Sequence, residues 1–358
     1  MLRTKALVGA VSFAVAVAVP WWSVSAETSS APARPAVDTA AADHGGAAHD
    51  GSSTTSTGGD TTATDTQQHD WKSMDKEMAK RDKSFPAKTA GKGAQLIKPE
   101  VLKDGTKRFT LTAKPVKWEV EPGKTVEAMS YNGMVPGPTI HVDVGDKVEV
   151  VLKNRLPEST VIHWHGIPID NAMDGVADIT QDPVVPGGSF TYKIKAERES
   201  VGWYHSHHNG TEQVTNGLWG AFLIGNMPLP DHTKVAQEIP IELQDSGSIG
   251  LTLNGKSFPA TEPVRVRKGD SVLIHYVNAG TMAHPMHLHG LDQLVVAKDG
   301  FPLKNPYKAD TVLVAPGERY SVLVNANRPG KWAFHCHIFP HSEGKTGMFG
   351  MFTEMIVS

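Results

Sequence analysis

The C-terminal three-quarters of this chain reads as one pattern written twice, and a repeat of that length admits few architectures. Histidines keep the register: His163 and His287 are 124 apart, as are His165 and His289, whereas His205 and His335, and His207 and His337, are 130 apart. The punctuation recurs with them. Asn132-Gly133 and Pro136-Gly137-Pro138 lead into the alternating run Thr139-Ile140-His141-Val142-Asp143-Val144 and then Gly145-Asp146. In the second copy Asn254-Gly255 and Phe258-Pro259 lead into Val264 to Val266, Gly269-Asp270 and the run Val272 to Val277. Short alternating runs between turn residues signal β-sandwich strands. The repeat therefore predicts an all-β fold of two tandem sandwich domains, each about 130 residues and of ordinary domain size. They are expected over 96–228 and 229–358, with the boundary near Asn226 to Lys234, where two prolines fall among turn and charged residues.

Ahead of residue 96 the composition changes. Met1-Leu2-Arg3-Thr4-Lys5, an apolar stretch from Ala6 to Trp22 and then Val24-Ser25-Ala26 have the charged, apolar, small-residue order of a secretory signal peptide. A signal over 1–26, cleaved after Ala26, is expected, and with it a secreted or extracytoplasmic protein; Pro20 interrupts a stretch already short for a membrane anchor. Residues 27–95 are rich in Ala, Thr, Asp, Gly, Ser and Lys, too poor in aliphatic pattern to bury a core. They predict a disordered low-complexity linker, a tether associating the protein with the cell surface, with His44, His49 and His69 solvated in it. The formal charge of −3 and the lack of a basic block argue against a nucleic-acid partner.

An exported chain with one cysteine has no internal disulfide. That residue, Cys336, lies in Trp332-Ala333-Phe334-His335-Cys336-His337, with His341 close behind. A soft thiolate among imidazoles is the ligand chemistry of copper rather than of a zinc cluster. In a strand, neighbouring side chains point to opposite faces, so metals bound by Cys336 and by His335 and His337 would lie on opposite sides. Electrons arriving at sulfur would then have a short covalent route across the backbone.

Three further clusters accompany it: His163-Trp164-His165-Gly166, His205-Ser206-His207 and His284-Pro285-Met286-His287-Leu288-His289-Gly290. On a strand, each His-x-His puts both imidazoles on one face, ready to grip neighbouring metals. A single such pair is more often solvated or hydrogen-bonded. Four in repeat register, one carrying a thiolate, point to metal.

These four motifs resemble the copper-binding motifs of the multicopper oxidases, the group that contains laccases, ascorbate oxidase and ceruloplasmin, over essentially all of Leu96 to Ser358. With two cupredoxin-like domains and the cysteine in the second, the chain is most similar to the small two-domain bacterial laccases. The resemblance implies Greek-key cupredoxin-like sandwiches and copper of three types. His284, Cys336 and His341 would be the equatorial ligands of a type 1 copper, His163 and His287 the ligands of a type 2 copper. The type 3 pair would be held by His165, His205 and His337 on one ion and His207, His289 and His335 on the other. The spacing after His341 departs from the usual laccase motif, and counting forward reaches Thr346, a poor ligand. Met348 is taken as axial because Gly347-Met348-Phe349-Gly350 matches Gly217-Leu218-Trp219-Gly220 at 130, with Met351 as rival. Ser206 stands where the second copy has Cys336, so the first domain has no blue site. In copper nitrite reductase the cysteine would fall in the first domain.

The implied function is a laccase-type oxidase, coupling one-electron oxidation of phenolic or similar reductants to four-electron reduction of dioxygen to water. Cys336, His335 and His337 form its catalytic core. Asp174, in Met173-Asp174-Gly175, falls where relatives carry a carboxylate near the cluster's solvent channel and is a proton-relay candidate, although Asp-Gly is also a common turn; Glu343 is a second. The alternatives are a metallo-oxidase of cuprous or ferrous ion for metal tolerance, for which Met282 and Met286 are the nearest sulfur donors, and a copper-binding protein without turnover. The resemblance further implies a homotrimer in which domain one of one subunit faces domain two of the next. His141, His208, His232 and His275 have no partner in the motifs and are assigned to packing or surface. Trp164, Trp203, Trp219 and Trp332 flank the ligand strands and are expected to wall off the metals as core residues.

Overall fold

The computed structural model describes residues 70–358. The signal expected over 1–26 and the linker as far as residue 69, with its three histidines, lie outside the described residues. Among the described residues no helix is long and apolar enough to cross a membrane.

Two sandwiches follow each other, and their pairing repeats strand for strand. In the first domain Lys107–Glu121 runs parallel to Lys147–Asn154, which pairs antiparallel with Ser189–Lys195. The facing sheet sets Ile140–Val142 parallel to Trp219–Ile224, then Ser200–His205 and His163–His165 antiparallel in turn. In the second domain the equivalents are Gln237–Gln244, Ser271–Asn278 and Arg319–Asn325 in one sheet. The other holds Val264–Val266, Phe352–Val357, Gly330–Cys336 and His284–Leu288. Leu111, Val150, Trp164, Tyr204 and Phe222 fill the first interior, and Ile274, Val322, Met286, Phe334 and Met355 the second.

One strand shows how the domains meet. Lys147–Asn154 alternates buried and exposed positions, as a strand with one wet face should, but its counterpart Ser271–Asn278 is buried at every residue. The second face of that strand lies against the first domain: Val277 and Ala279 pack with Trp203 and Trp219, and Leu273 and Leu323 with Val201 and Leu223. Val272 to Val277 is therefore a strand covered on both faces.

The linker expected to run to residue 95 ends sooner. A helix, Trp71–Lys83, opens on Asp70, whose carboxylate accepts from the Ser73 amide at 3.3 Å. None of its residues is buried. Composition misses it because polar and aromatic anchors, not an apolar stripe, hold the segment down. The Arg81 guanidinium donates to Glu121 of the first domain at 2.7 Å, Phe85 stacks on Phe258 with ring centres 5.0 Å apart, and the Ala87 amide donates to the Pro259 carbonyl. Lys256 donates to the Ala90 and Glu119 carbonyls at 2.9 and 2.7 Å, its ammonium 3.9 Å from the centre of the Trp118 ring.

Between the domains lies a carboxyl group. Glu242 is fully buried, and neither oxygen has a hydrogen-bond partner among the described residues. Burial raises its pKa from 4.5 to about 8, offset only in part by the nearby Ala221 amide. The folded state thus holds a proton that the unfolded chain releases near pH 4.5, so this contribution to stability declines as pH rises from about 4.5 and levels off above about 8. Glu242→Gln, a neutral isostere, should flatten that part of the profile; urea unfolding measured across the window should give curves for parent and variant that diverge steadily from pH 5 to 8, and parallel curves would show that Glu242 does not titrate there.

Candidate metal centre

The pleat of two paired strands builds the site. Opposed residues of an antiparallel pair share a face. Met286 opposes Cys336 and both point into the sandwich, whereas His287 opposes His335 on the outer face. Along His284–Leu288 the buried positions are His284, Met286 and Leu288, so His284 shares the interior with Cys336. His341 reaches it from the short helix Phe339–Ser342.

There the Cys336 sulfur lies 3.6 Å from Nδ1 of His284 and 3.6 Å from Nδ1 of His341, and all three residues are buried. Burial pushes the thiol up to about 11, far from the range of a free nucleophile. One sulfur and two imidazole nitrogens converging in a dry interior fit copper. Sequence reasoning missed the group behind them. Asp245 accepts from His284 Nε2 at 2.9 Å, and from the Thr281 amide, the Met282 amide and the Thr281 hydroxyl. Burial would raise this carboxyl, but the bonds from His284, Thr281 and Met282 outweigh it and hold it well below the usual range. A Cβ on Gly280 would lie 2.3 Å from Asp245 Oδ2, so a glycine is needed there. The bond from Nε2 fixes the ring with Nδ1 toward the sulfur.

At the same position the first domain holds a hydrogen-bond network around Ser206. Ser206 donates to Gln213 Oε1 at 2.6 Å, the Thr160 hydroxyl donates to the same oxygen at 2.8 Å, and the His208 amide donates back to Ser206. All of Ser206, Gln213 and Thr160 are buried.

Strand pairing does not bear out the match at 130 that selected Met348. The Ser206 amide donates to the Leu218 carbonyl, and the Cys336 amide donates to that of Met351. Likewise His205 opposes Trp219, but His335 opposes Phe352. The counterpart of Leu218 is therefore Met351, and the glycine match at 130 is three residues out of structural register. Ser206 and Leu218 are 12 positions apart, Cys336 and Met351 15. The extra length lies in the loop that carries His341 and the hairpin Glu343–Gly344/Gly347–Met348. Met351 is fully buried where the first domain has fully buried Leu218, a packing position in both copies, whereas Met348 belongs to the loop peculiar to the cysteine domain.

The eight remaining histidines form two sets of four with matching supports. His163 Nδ1 donates to the Asp174 carbonyl at 2.8 Å, and His287 Nδ1 to the Asp310 carbonyl at 3.0 Å. His205 Nδ1 donates to the Ser206 carbonyl at 2.8 Å, and His335 Nδ1 to the Cys336 carbonyl at 3.0 Å. Each bond fixes a tautomer with Nε2 free for a metal. Asp174 therefore orients His163 through its carbonyl, with its carboxylate 3.4 Å from the same nitrogen. Burial above all lowers His165 to about 4 and His205 to about 3, and also lowers His289 and His335. Neutral imidazoles are what a metal requires. Trp203 stacks on both His165 and His205, with ring centres 5.1 and 4.2 Å away. Among the described residues, every ring contact between these histidines stays within its own set of four, and His207, His289 and His337 are exposed.

Two of the other histidines have structural partners. His141 bonds the Gly225 carbonyl, and buried His275 bridges Ser321 and Glu238. His208 is half-buried, and the His232 side chain lies outside the described residues. Trp164 and Trp219 are core residues, while Trp332 is only partly buried and packs on Gly290. Glu343 is exposed on the hairpin.

Residues 112–228 and 226–357 each match a family described as Multicopper oxidase. The chain superposes on the blue copper oxidase from Nitrosomonas europaea with a TM-score of 0.66 and 37% identity, covering 70% of this chain and 85% of that one. Against the multicopper oxidase mgLAC the TM-score is 0.66 and the identity 39%, over 70% of this chain and 86% of that one. Laccase-2 of Botryotinia fuckeliana is 30% identical over 271 residues, 63% of this chain and 45% of the fungal protein. This chain spans about half the length of the curated relatives it matches.

Asp245→Asn keeps one acceptor oxygen for His284 but cannot hold both backbone amides as a carboxylate does. Copper binding at the cysteine site, read by competition against a chromophoric chelator, should weaken about tenfold to a hundredfold; unchanged affinity would show that Asp245 does not orient the ligand.

Proposed function

The chain belongs to the multicopper oxidase family, and on that premise we propose that it is a laccase-type oxidase of phenolic or similar small reductants with dioxygen as acceptor. The observation that carries the reading is the pair of strands whose inner face holds Cys336 and His284 and whose outer face holds His287 and His335. His284, Cys336 and His341 would hold the type 1 copper, with Met348 axial. His163 and His287 would hold the type 2 copper. His165, His205 and His337 on one ion, and His207, His289 and His335 on the other, would hold the type 3 pair. Copper bound at these places supplies one-electron intake from the reductant and four-electron delivery to dioxygen.

The remaining work belongs to the protein. Asp245 orients His284, and the Asp174 and Asp310 carbonyls orient His163 and His287. Trp203 covers His165 and His205 against water. Asp174, 30% exposed beside His163, is positioned to move protons between solvent and the cluster.

Three of these histidines are exposed, and among the described residues the two sets of four make no ring contact with each other. Both facts support a homotrimer in which each set meets the other set of a neighbouring subunit. Met1–Ala26 supports export, with residues 27–69 as a tether. Cuprous or ferrous ion as the physiological reductant would use the same ligands and differ in what docks near His341. Pure copper storage needs no thiol coupled to eight further histidines.

Cys336→Ser should abolish the blue absorption and oxygen uptake with a phenol, ferrous iron or cuprous ion, while the type 2 paramagnetic signal remains. Blue colour persisting in that variant would overturn the ligand assignment, and a copper-loaded parent that consumes no oxygen with any of the three reductants would leave storage. Sedimentation equilibrium of the copper-loaded, active protein should give three times the mass of the processed chain; an active monomer would rule out the shared cluster.

A further inference from the structure

The N-terminal helix contributes a residue to the copper loop. Arg81 donates from Nε to the Met348 carbonyl at 2.6 Å and from Nη2 to Glu121 at 2.7 Å and the Phe258 carbonyl at 2.5 Å. One guanidinium thus ties the hairpin after His341 to both domains, a task suited to its planar fork of donors. Nothing else on the helix does this by burial, since none of its residues is buried. Met78 lies against the hairpin, its Cγ 3.1 Å from where a Cβ on Gly347 would sit.

The hairpin needs such a support. Its ladder has two residue pairs, Glu343 with Met348 and Gly344 with Gly347, and a two-stranded ribbon is marginal alone. Met351 is fixed from inside the sandwich, its amide donating to the His341 carbonyl and its carbonyl accepting from the Cys336 amide. The Met348 main chain is fixed from outside, by Arg81.

We propose that Arg81 is a positioning residue for the type 1 copper, holding the Met348 main chain so that the axial side chain keeps one approach to the metal. This rests on the oxidase reading and on Met348 as axial ligand. A thioether held less firmly would donate less to a bound copper, and a weaker donor at that position raises the reduction potential.

The test uses the full-length protein with Arg81→Ala, Arg81→Lys and Glu121→Gln, and two readouts. In metal-free protein, Arg81→Ala should speed hydrogen exchange of the Phe349 amide, which donates to the Ser342 carbonyl, by at least about tenfold. Arg81→Lys, which cannot span the acceptors, should speed it as well, and Glu121→Gln should leave it unchanged. In copper-loaded protein, Arg81→Ala should raise the type 1 potential and alter its visible and paramagnetic spectra, in the same direction as Met348→Leu. Unchanged Phe349 exchange in Arg81→Ala overturns the clamp. Faster exchange with an unmoved type 1 potential overturns its role at the metal, as does a potential that rises in Met351→Leu and not in Met348→Leu. If the parent itself has no blue absorption, the oxidase reading falls, and Phe349 exchange alone decides whether Arg81 holds the hairpin.

Discussion

The register between His284–Leu288 and Gly330–Cys336 is the constraint on which the rest depends. A slip of one residue would turn every side chain of one strand to the other face. The thiol would join the outer histidines and His335 would enter the core. Apolar burial prevents this: Met286, Leu288 and Phe334 point inward on the same two strands and are fully enclosed. Turning out each of them costs about 1.5–3 kcal/mol, more together than any imidazole hydrogen bond could return. The hydrophobic pattern that stabilises the sandwich is thus also what assigns ligands to faces. The bond from His335 to the Cys336 carbonyl then joins the two faces at one peptide unit.

A second constraint lies between the domains. Trp203 stacks on His165 and His205 while packing against Val277 and Ala279 of the other domain. Close by, Arg319 reaches across to the Val201 carbonyl at 3.1 Å and is nearly enclosed. A Cβ on Gly166, next to His165, would lie 2.0 Å from that guanidinium. Movement of one domain against the other would therefore disturb the histidines of the first domain directly. The placement of these histidines and the interdomain packing are one problem, solved by the same side chains.

Much of this was legible in the sequence. His-x-His pairs and turn glycines depend on local periodicity, and local periodicity survives in a string of letters, so the two sandwiches and the ligand faces could be read from it. Asp245 could not, because it lies 39 positions from His284 and becomes its partner only through the folding of two sheets. The three-residue offset between Leu218 and Met351 was hidden by a coincidental glycine match. Glycine marks a turn, and turns recur at any register. The helix Trp71–Lys83 escaped composition for another reason: its docking rests on one guanidinium and one aromatic pair, which a count of aliphatic residues does not weigh.

The hydrogen bonds around Ser206 make the two domains non-interchangeable. Placing cysteine there would leave the buried Gln213 oxygen short of its nearest donor, and the His208 amide would face a sulfur that accepts poorly. The exchange would remove polar satisfaction from a closed interior without supplying either imidazole. A second site of one thiol and two imidazoles would require clearing Gln213 and Thr160 and lengthening the following loop as well. The asymmetry of the molecule is therefore protected by several coupled positions, so that stepwise exchange at any one of them loses stability before it gains a metal, and the thiol stays in the second domain.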